Sequence, residues 1–179
     1  MDNSRDQALI ERCRRGDRRA LGELLGRYEK PVFNAAYRIL GNPDDAADAT
    51  QAVFMKAFVN LDSYNPRYKF FSWIYRIAVN ESINQRKRTR QQQPLDDNEQ
   101  AATPDPYASA EAGDLSREIQ ESLMSLKDEY RTVVVLRHFS DCSYHEISQI
   151  LEIPEKTVKS RLYTARQLMR DRLLAHGAY

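Results

Sequence analysis

Residues 143–170 read SYHEISQILEIPEKTVKSRLYTARQLMR, and this stretch decides the fold. Ser143 and Glu146 are spaced as a capping box, in which the serine hydroxyl and the glutamate carboxylate satisfy free amides at a helix start. That helix is predicted to stop before Pro154, and a longer helix follows with its apolar positions on one face: Val158, Leu162, Ala165 and Met169. A short helix, a tight turn and a longer second helix predict a helix-turn-helix.

The exposed side of the second helix carries the chemistry of a DNA reader. Polar and basic residues recur there at three- and four-residue steps. In a major groove, such donors reach base edges while flanking arginines neutralise phosphates. The predicted DNA-binding residues are Lys156, Thr157, Lys159, Ser160, Arg161, Tyr163 and Arg166. A solvated helix in an ordinary bundle stays an alternative, because this spacing in a single sequence is only moderately specific.

Helical spacing of apolar residues also runs through the first ninety residues. Gly16 and Asp17 predict a break after the first helix, and Pro31 predicts an end or a kink in the second. Residues 41–44, Gly-Asn-Pro-Asp, predict a turn into a third helix. Residues 62–66, Asp-Ser-Tyr-Asn-Pro, predict a loop, after which a fourth helix begins.

Residues 91–113 separate the two helical parts. They contain no Lys or Arg, three prolines and few apolar side chains, so they cannot bury enough surface to fold alone. The sequence therefore predicts an all-α protein of two small helical domains, residues 1–90 and 114–179, joined by a flexible acidic linker. Residues 1–90 hold 17 Lys or Arg against 11 Asp or Glu, which suits a polyanion-binding surface.

Composition excludes several classes of protein. No apolar run approaches the roughly 20 residues that span a bilayer, and the N-terminal sequence lacks the apolar core of a secretory signal. Cys13 and Cys142 are far apart in sequence and suggest reduced thiols rather than a disulfide framework. These features predict a cytoplasmic protein.

The sequence also predicts neither an enzyme nor a metal site. Its histidines are His138, His145 and His176, and no glycine-rich phosphate loop, nucleophile elbow or carboxylate pair stands out. His138, Cys142 and His145 could be imagined as zinc ligands, but a structural zinc usually takes four and no fourth is nearby. No catalytic residue and no cofactor is expected.

Nearly the full chain resembles the extracytoplasmic-function (ECF) sigma factors of the sigma-70 family. Three blocks carry the resemblance in the family's order: residues 44–54 (DDAADATQAVF), residues 71–80 (FSWIYRIAVN) and residues 153–166. The resemblance implies a region 2 helical bundle, a flexible linker and a region 4 helix-turn-helix. It also implies a monomer that binds core RNA polymerase, at the β′ coiled coil and the β flap, and promoter DNA, under the control of an anti-sigma factor.

The resemblance assigns roles residue by residue. The polymerase-binding residues on the helix of the first block are Asp45, Asp48, Gln51 and Phe54. A pocket for a base flipped out of the −10 element is implied in the following loop, at Tyr64, Asn65, Arg67 and Tyr68. The next helix faces the separating strands with Trp73, Arg76, Asn80 and Asn84. The −35 element is read by Lys159, Ser160 and Tyr163.

Core packing stays an alternative for two of these residues, Phe54 and Trp73. The chain also departs from the family's pattern at two positions. Ala52 stands where an acidic residue is common, and Thr164 stands where some members have arginine. One polymerase contact and the promoter sequence of those members therefore do not carry over.

A helix-turn-helix repressor or activator is the main rival. Its first ninety residues would sense a ligand or dimerise, and it would bind duplex DNA alone as a dimer. The predicted linker favours the sigma factor, because a dimeric regulator needs its two readers at a fixed half-site spacing.

Overall fold

The computed structural model describes residues 3–92 and 113–175, in which helices are joined by turns and short loops and no strand occurs. The front module comprises α1 (Asn3–Arg14), α2 (Arg18–Leu40), α3 (Pro43–Val59), a 3-10 turn (Leu61–Ser63) and α4 (Phe70–Gln92). The rear module comprises α5 (Gly113–Ser125), α6 (Asp128–Val134), a π turn (Val135–Phe139), α7 (Tyr144–Leu151) and α8 (Glu155–Ala175). The predicted linker lies outside the described residues except at its ends, where residues 91, 92 and 113 are helical.

Local sequence sets the helix boundaries of the front module as predicted. Asp17 caps α2 by accepting hydrogen bonds from two backbone amides of its first turn. Gly41 ends α2 in the left-handed region, at φ 80°, where a side chain would be strained. Asn42 then caps α3, whose first residue is Pro43. Three consecutive residues, Gly41, Asn42 and Pro43, therefore set the change of direction between α2 and α3.

Pro31 was predicted to end or kink α2, and it does not end the helix. The helix runs from Arg18 to Leu40 through Pro31, although an interior proline costs about 3 kcal/mol. Tyr28 and Val32, on the two sides of the proline, have no exposed surface. Full burial of such side chains contributes about 1.5–3 kcal/mol each. Packing in the front core therefore outweighs the local cost of the proline.

The core of the front module includes a buried polar link between α1 and α2. Asp6 is 1% exposed, and its carboxylate accepts hydrogen bonds from Arg27 Nε at 2.9 Å and from the Tyr28 hydroxyl at 2.5 Å. Burial, followed by the hydrogen bond to Asp6, raises the pKa of Tyr28, which keeps its phenol a donor. The link fixes the short helix α1 on the long helix α2.

Replacing Asp6 with alanine is expected to lower the free energy of unfolding by about 1–3 kcal/mol, because the buried Tyr28 hydroxyl loses its acceptor. Urea unfolding followed by circular dichroism measures the change. Asp171→Ala, at an exposed aspartate of α8, is the matched control and should change stability by less than about 0.5 kcal/mol. Equal unfolding midpoints for the two variants would refute a stabilising role for the link.

The rear module forms the predicted helix-turn-helix. The capping box is present: the Glu146 amide donates to Ser143 Oγ at 3.2 Å, and the Ser143 amide donates to Glu146 Oε2 at 2.8 Å. The turn after α7 takes Glu152 into the left-handed region at φ 54°. Buried side chains join α7 and α8 to the rest of the module: Leu136, Ile147, Val158, Leu162 and Ala165.

The two modules pack against each other through a buried arginine of α6. Arg131 has no exposed surface and donates from Nη1 to the Ile39 carbonyl, in the last turn of α2, at 2.9 Å. Its other donors reach carbonyls at and just beyond the end of α5, those of Leu123, Met124 and Leu126. Burial lowers the pKa of this guanidinium. One side chain thus satisfies carbonyls at the C-terminal ends of two helices, one from each module.

Candidate nucleic-acid and polymerase interface

Helix α8 turns its predicted reading face outward. Val158, Leu162 and Ala165 are buried, and Tyr163 is 68% exposed on the opposite side. Lys156, Lys159, Ser160 and Arg166 are also exposed. The Lys159 ammonium lies 5.8 Å from the centre of the Tyr144 ring of α7, so α7 helps to orient it. The outward side of α8 therefore carries exposed cations and polar groups, with Lys159 next to α7.

Two of the predicted DNA-binding residues of α8, Thr157 and Arg161, are less exposed than the others. Arg161 is half-buried and pairs with Glu129 of α6 at 2.9 Å. Thr157 is half-buried in the first turn of α8. In this conformation Arg161 also joins α8 to α6, through a contact between distant helices that spacing along α8 does not reveal. Its role in DNA binding stays a prediction.

The loop before α4 contains one buried predicted site residue, Tyr64, and three exposed ones. Tyr64 is 3% exposed, and its hydroxyl donates to the Tyr68 carbonyl at 2.6 Å. Tyr64 therefore supports the loop from inside, and its role in base capture stays a prediction. Asn65, Arg67 and Tyr68 are exposed, and Asn65 Oδ1 accepts a hydrogen bond from the Arg67 amide at 3.0 Å. These three side chains form the accessible part of the predicted pocket.

The start of α4 is built on an aromatic cluster. Trp73 is half-buried, with its ring centre 5.4 Å from that of Phe70 and 5.6 Å from that of Tyr64. Further along the helix, Asn80 and Asn84 are exposed. Trp73 is thus partly packed on the core and partly exposed on the side of α4 that also carries Asn80 and Asn84.

Arg76, on the same face of α4, is engaged by the rear module. Its Nη2 donates to the Gln149 carbonyl of α7 at 2.6 Å, and its Nη1 lies 2.9 Å from Glu152 Oε1. Among the four predicted strand-facing residues of α4, Arg76 is therefore held by a contact between modules.

The predicted polymerase-binding residues lie on α3 in two environments. Asp48 and Gln51 are exposed. Asp45 is half-buried and accepts a hydrogen bond from Gln85 Nε2 of α4 at 3.0 Å. Phe54 is half-buried and packs against the front core. The exposed pair is directly accessible to a partner.

An apolar patch at the end of α3 was missed by the sequence reasoning. Met55 is 70% exposed, Phe58 is 58% exposed and Val59 is 78% exposed. These positions lie off the buried stripe of α3, which comprises Ala46, Ala49, Val53 and Ala57. That mismatch is visible in the sequence and could have identified the patch. Clustered exposed side chains of this kind mark interaction surfaces.

The described part of the chain holds no group of three or more metal-ligating side chains. Cys13 and Cys142 are both free, and burial raises the pKa of the Cys142 thiol to about 12. Residues 3–92 and 113–175 also contain no helix long and apolar enough to cross a membrane.

Comparison with known proteins identifies the family. The family model described as Sigma-70 region 2 matches residues 24–92, and that described as Sigma-70, region 4 matches residues 116–169. The ECF RNA polymerase sigma factor SigW of Bacillus subtilis (strain 168) is 34% identical over 177 residues, covering 92% of this chain and 94% of SigW. The chain belongs to the ECF sigma factors. The region 2 match of this sigma factor falls on α2 to α4, and the region 4 match falls on α5 to α8.

Two solved structures share the fold of this ECF sigma factor. CnrH, in complex with the cytosolic domain of CnrY, aligns with a TM-score of 0.75 at 24% identity, covering 96% of this chain and 98% of CnrH. The sigma factor RpoE of Bartonella quintana, in complex with the anti-sigma factor NepR, aligns with a TM-score of 0.71 at 26% identity, covering 85% of this chain and 95% of RpoE. Family membership favours the sigma factor over the dimeric regulator.

Proposed function

We propose that this ECF sigma factor binds core RNA polymerase through α3, captures the opened −10 element with α4 and the loop before it, and reads the −35 element with α8. The observation that carries the proposal is the outward face of α8, where Lys159, Ser160 and Tyr163 are all exposed beside a buried stripe that fixes the helix. The family assignment supplies the partner, a polymerase.

The geometry of α8 suits a major groove, which is about 12 Å wide and admits one helix. Lys159 and Ser160 offer donors to base edges from the N-terminal half of the helix. Lys156, in the first turn of α8, and Arg166, near its middle, flank these residues along the helix and neutralise phosphates, which fixes position without reading sequence. Specificity is thus assigned to a few residues between them, and affinity is shared with the flanking cations.

Strand capture is assigned to the exposed edge of the front module. A base held outside the duplex first has to unstack, which costs a few kcal/mol, and stacking and edge contacts must offset that cost. Tyr68 is 51% exposed and supplies an aromatic face. Asn65, Asn80 and Asn84 supply amide donors and acceptors, and Arg67 supplies charge for the backbone.

Polymerase binding is assigned to Asp48, Gln51 and Phe54 together with the apolar patch of Met55, Phe58 and Val59. A polar group beside exposed apolar side chains is the composition of a protein-binding surface with an apolar centre and a polar rim. The β′ coiled coil is the proposed partner of this surface, and the β flap is the proposed partner of the rear module. Asp45 contributes by orienting α3 through Gln85.

Regulation by an anti-sigma factor is part of the proposal. NepR is an anti-sigma factor bound to the structurally similar RpoE, and a partner of the same class that covers α3 would keep this chain from polymerase. The proposed role is non-catalytic, uses no cofactor, and places a monomer in the cytoplasm, where the polymerase acts.

Gel-shift measurements on promoter fragments test the proposal against the dimeric regulator. The chain with core polymerase should shift a duplex promoter fragment, whereas the chain alone should bind it weakly and without sequence preference. Tight and specific binding of the duplex by the isolated chain would contradict the proposal, because a regulator that works without polymerase behaves in that way.

Replacing Lys159 and Ser160 with alanine is expected to weaken discrimination of the −35 element by about 1–3 kcal/mol. The measurement compares transcription by the reconstituted holoenzyme from a promoter with its natural −35 element and from one with that element scrambled. The matched control replaces Lys127 and Ser125, an exposed lysine and serine of the rear module outside α8. A discrimination ratio equal to that of the control would remove both residues from the reading surface.

A further inference from the structure

Helix α1 holds the loop before α4 by hydrogen bonds to the backbone of that loop. Arg14 Nη2 donates to the Tyr64 carbonyl at 2.9 Å and to the Leu61 carbonyl at 3.2 Å. Gln7 Nε2 donates to the Pro66 carbonyl at 3.1 Å. We call these three hydrogen bonds the α1 brace. They lie at successive points of the segment that carries the predicted −10 pocket.

The α1 brace starts from a fixed part of the molecule. Leu9 and Ile10 of α1 are 3% and 2% exposed and belong to the front core. Asp6 of the same helix makes the buried polar link to α2. The Arg14 side chain is 27% exposed, so most of it lies against the protein. The loop is therefore tied to a helix that cannot shift without disturbing the core.

The backbone of this loop depends on side chains for its shape. Carbonyls in a loop lack the regular partners of a helix or a sheet, so water or a side chain must satisfy them. A hydrogen bond from a guanidinium is charge-assisted and stronger than one between neutral groups. The carbonyls of Tyr64 and Pro66 lie on the two sides of Asn65, and Arg67 follows directly. The α1 brace therefore fixes the backbone that orients Asn65 and Arg67.

Tyr64 extends the effect of the α1 brace to the far end of the loop. Its carbonyl accepts from Arg14, and its hydroxyl donates to the Tyr68 carbonyl at 2.6 Å. Burial, followed by the nearby Asp6 carboxylate, raises the pKa of Tyr64, so the phenol stays protonated and keeps its donor. Arg14 is thus connected to the backbone of Tyr68 through one buried side chain.

We propose that Arg14 and Gln7 are positioning residues for recognition of the −10 element, which hold the loop in the shape in which its exposed side chains fit a flipped base. The inference rests on the proposed function. A base edge is recognised by side chains held to within about 0.5 Å, and a loop that takes several shapes accepts several bases. The region 2 match begins at residue 24, so α1 lies outside it. Loss of the α1 brace should lower selectivity at the −10 element and leave reading of the −35 element by α8 unchanged.

Full-length variants remove the α1 brace in parts. Arg14→Met keeps the aliphatic stem and removes two of the three hydrogen bonds. Its control, Arg15→Met, removes the same charge at the next residue, whose side chain is 80% exposed. Gln7→Met removes the third hydrogen bond, and its control, Ala8→Met, places a methionine at the next, exposed position. Arg14→Lys keeps the charge and a donor but not the planar fork, so it should recover part of the function.

The first measurement is the base selectivity of the reconstituted holoenzyme. It uses a promoter that requires the wild-type chain, with the −10 positions randomised in one pool and the −35 positions randomised in another. Each template carries a barcode in its transcript, and sequencing the transcripts gives the enrichment of each base. Arg14→Met should lower the enrichment of the preferred −10 bases by about threefold or more relative to Arg15→Met, with equal enrichment at −35. Gln7→Met should show a smaller loss relative to Ala8→Met.

The second measurement follows the loop without polymerase or DNA. Trp73 is the single tryptophan of the sequence, and its ring centre lies 5.6 Å from that of Tyr64. A loosened loop exposes this ring, so acrylamide should quench the emission of Arg14→Met more strongly than that of Arg15→Met. The thermal midpoints of these two variants should be close, because the front core is the same in both.

Two results would overturn the inference. The first is −10 selectivity in Arg14→Met and Gln7→Met equal to that of their controls, because the loop would then keep its shape without the α1 brace. The second is an equal loss of −10 and −35 selectivity with a lower thermal midpoint, because the brace would then serve only the stability of the fold. If Arg14→Met does not fold, Gln7→Met decides. Failure of the proposed function would appear in the wild-type chain, as the absence of polymerase-dependent initiation.

Discussion

Replacement of Arg131 with methionine should lower the free energy of unfolding by about 3 kcal/mol or more, because several buried carbonyls lose their donors at once. Arg131 has no exposed surface and donates to carbonyls in the last turn of α2 and at and beyond the end of α5. Methionine fills a similar volume but leaves these acceptors unpaired inside the protein. Burial of an unpaired acceptor costs about 1–3 kcal/mol.

Urea unfolding followed by circular dichroism measures this loss. Arg131→Lys keeps the charge but not the planar set of donors, so it should also be destabilising. Arg170→Met is the matched control, because the Arg170 side chain is 58% exposed, and it should change stability by less than about 0.5 kcal/mol. A loss at Arg131 no larger than at Arg170 would show that the buried guanidinium does not join the helix ends.

Truncating Phe58 to alanine should weaken the complex with core polymerase by about 2–4 kcal/mol, as expected for an aromatic residue at the centre of an interface. Phe58 is 58% exposed and belongs, with Met55 and Val59, to the exposed apolar patch of α3. A side chain so exposed contributes little to the fold, so the loss should appear in binding alone. Competition with a labelled wild-type chain for core polymerase measures the affinity.

Two observations separate a binding defect at Phe58 from unfolding. The thermal midpoint of Phe58→Ala should stay close to that of the wild type, and Phe58→Leu, which retains much of the apolar area, should recover most of the affinity. Wild-type affinity in Phe58→Ala would place the polymerase contact elsewhere on the chain.

Local signals in the sequence predicted much of the fold. The capping box of Ser143 and Glu146 and the Gly41-Asn42-Pro43 turn are short-range devices, in which the residues that decide the backbone are its immediate neighbours. Of the two outcomes predicted for Pro31, an end or a kink, the helix end does not occur, because the cost of the proline is local while the compensating burial of Tyr28 and Val32 depends on the whole core. The outward face of α8 was predicted because periodicity alone separates its two sides.

Contacts between distant segments account for what the sequence did not reveal. Arg161 pairs with Glu129, Tyr64 turns into the aromatic cluster, and Arg76 meets the rear module. Each partner lies in another element, and no spacing rule connects the pairs. Packing between the modules was likewise not predicted. In the sequence Arg131 is an ordinary helical arginine, and only the structure shows that it donates to carbonyls of two other helices.

Reconstitution with core polymerase tests the account most directly. Core enzyme with and without the chain transcribes genomic DNA, and the 5′ ends of the transcripts are sequenced. The account predicts start sites that require the chain and that share two upstream motifs at a constant spacing, one for each module. An identical set of start sites with and without the chain would contradict it.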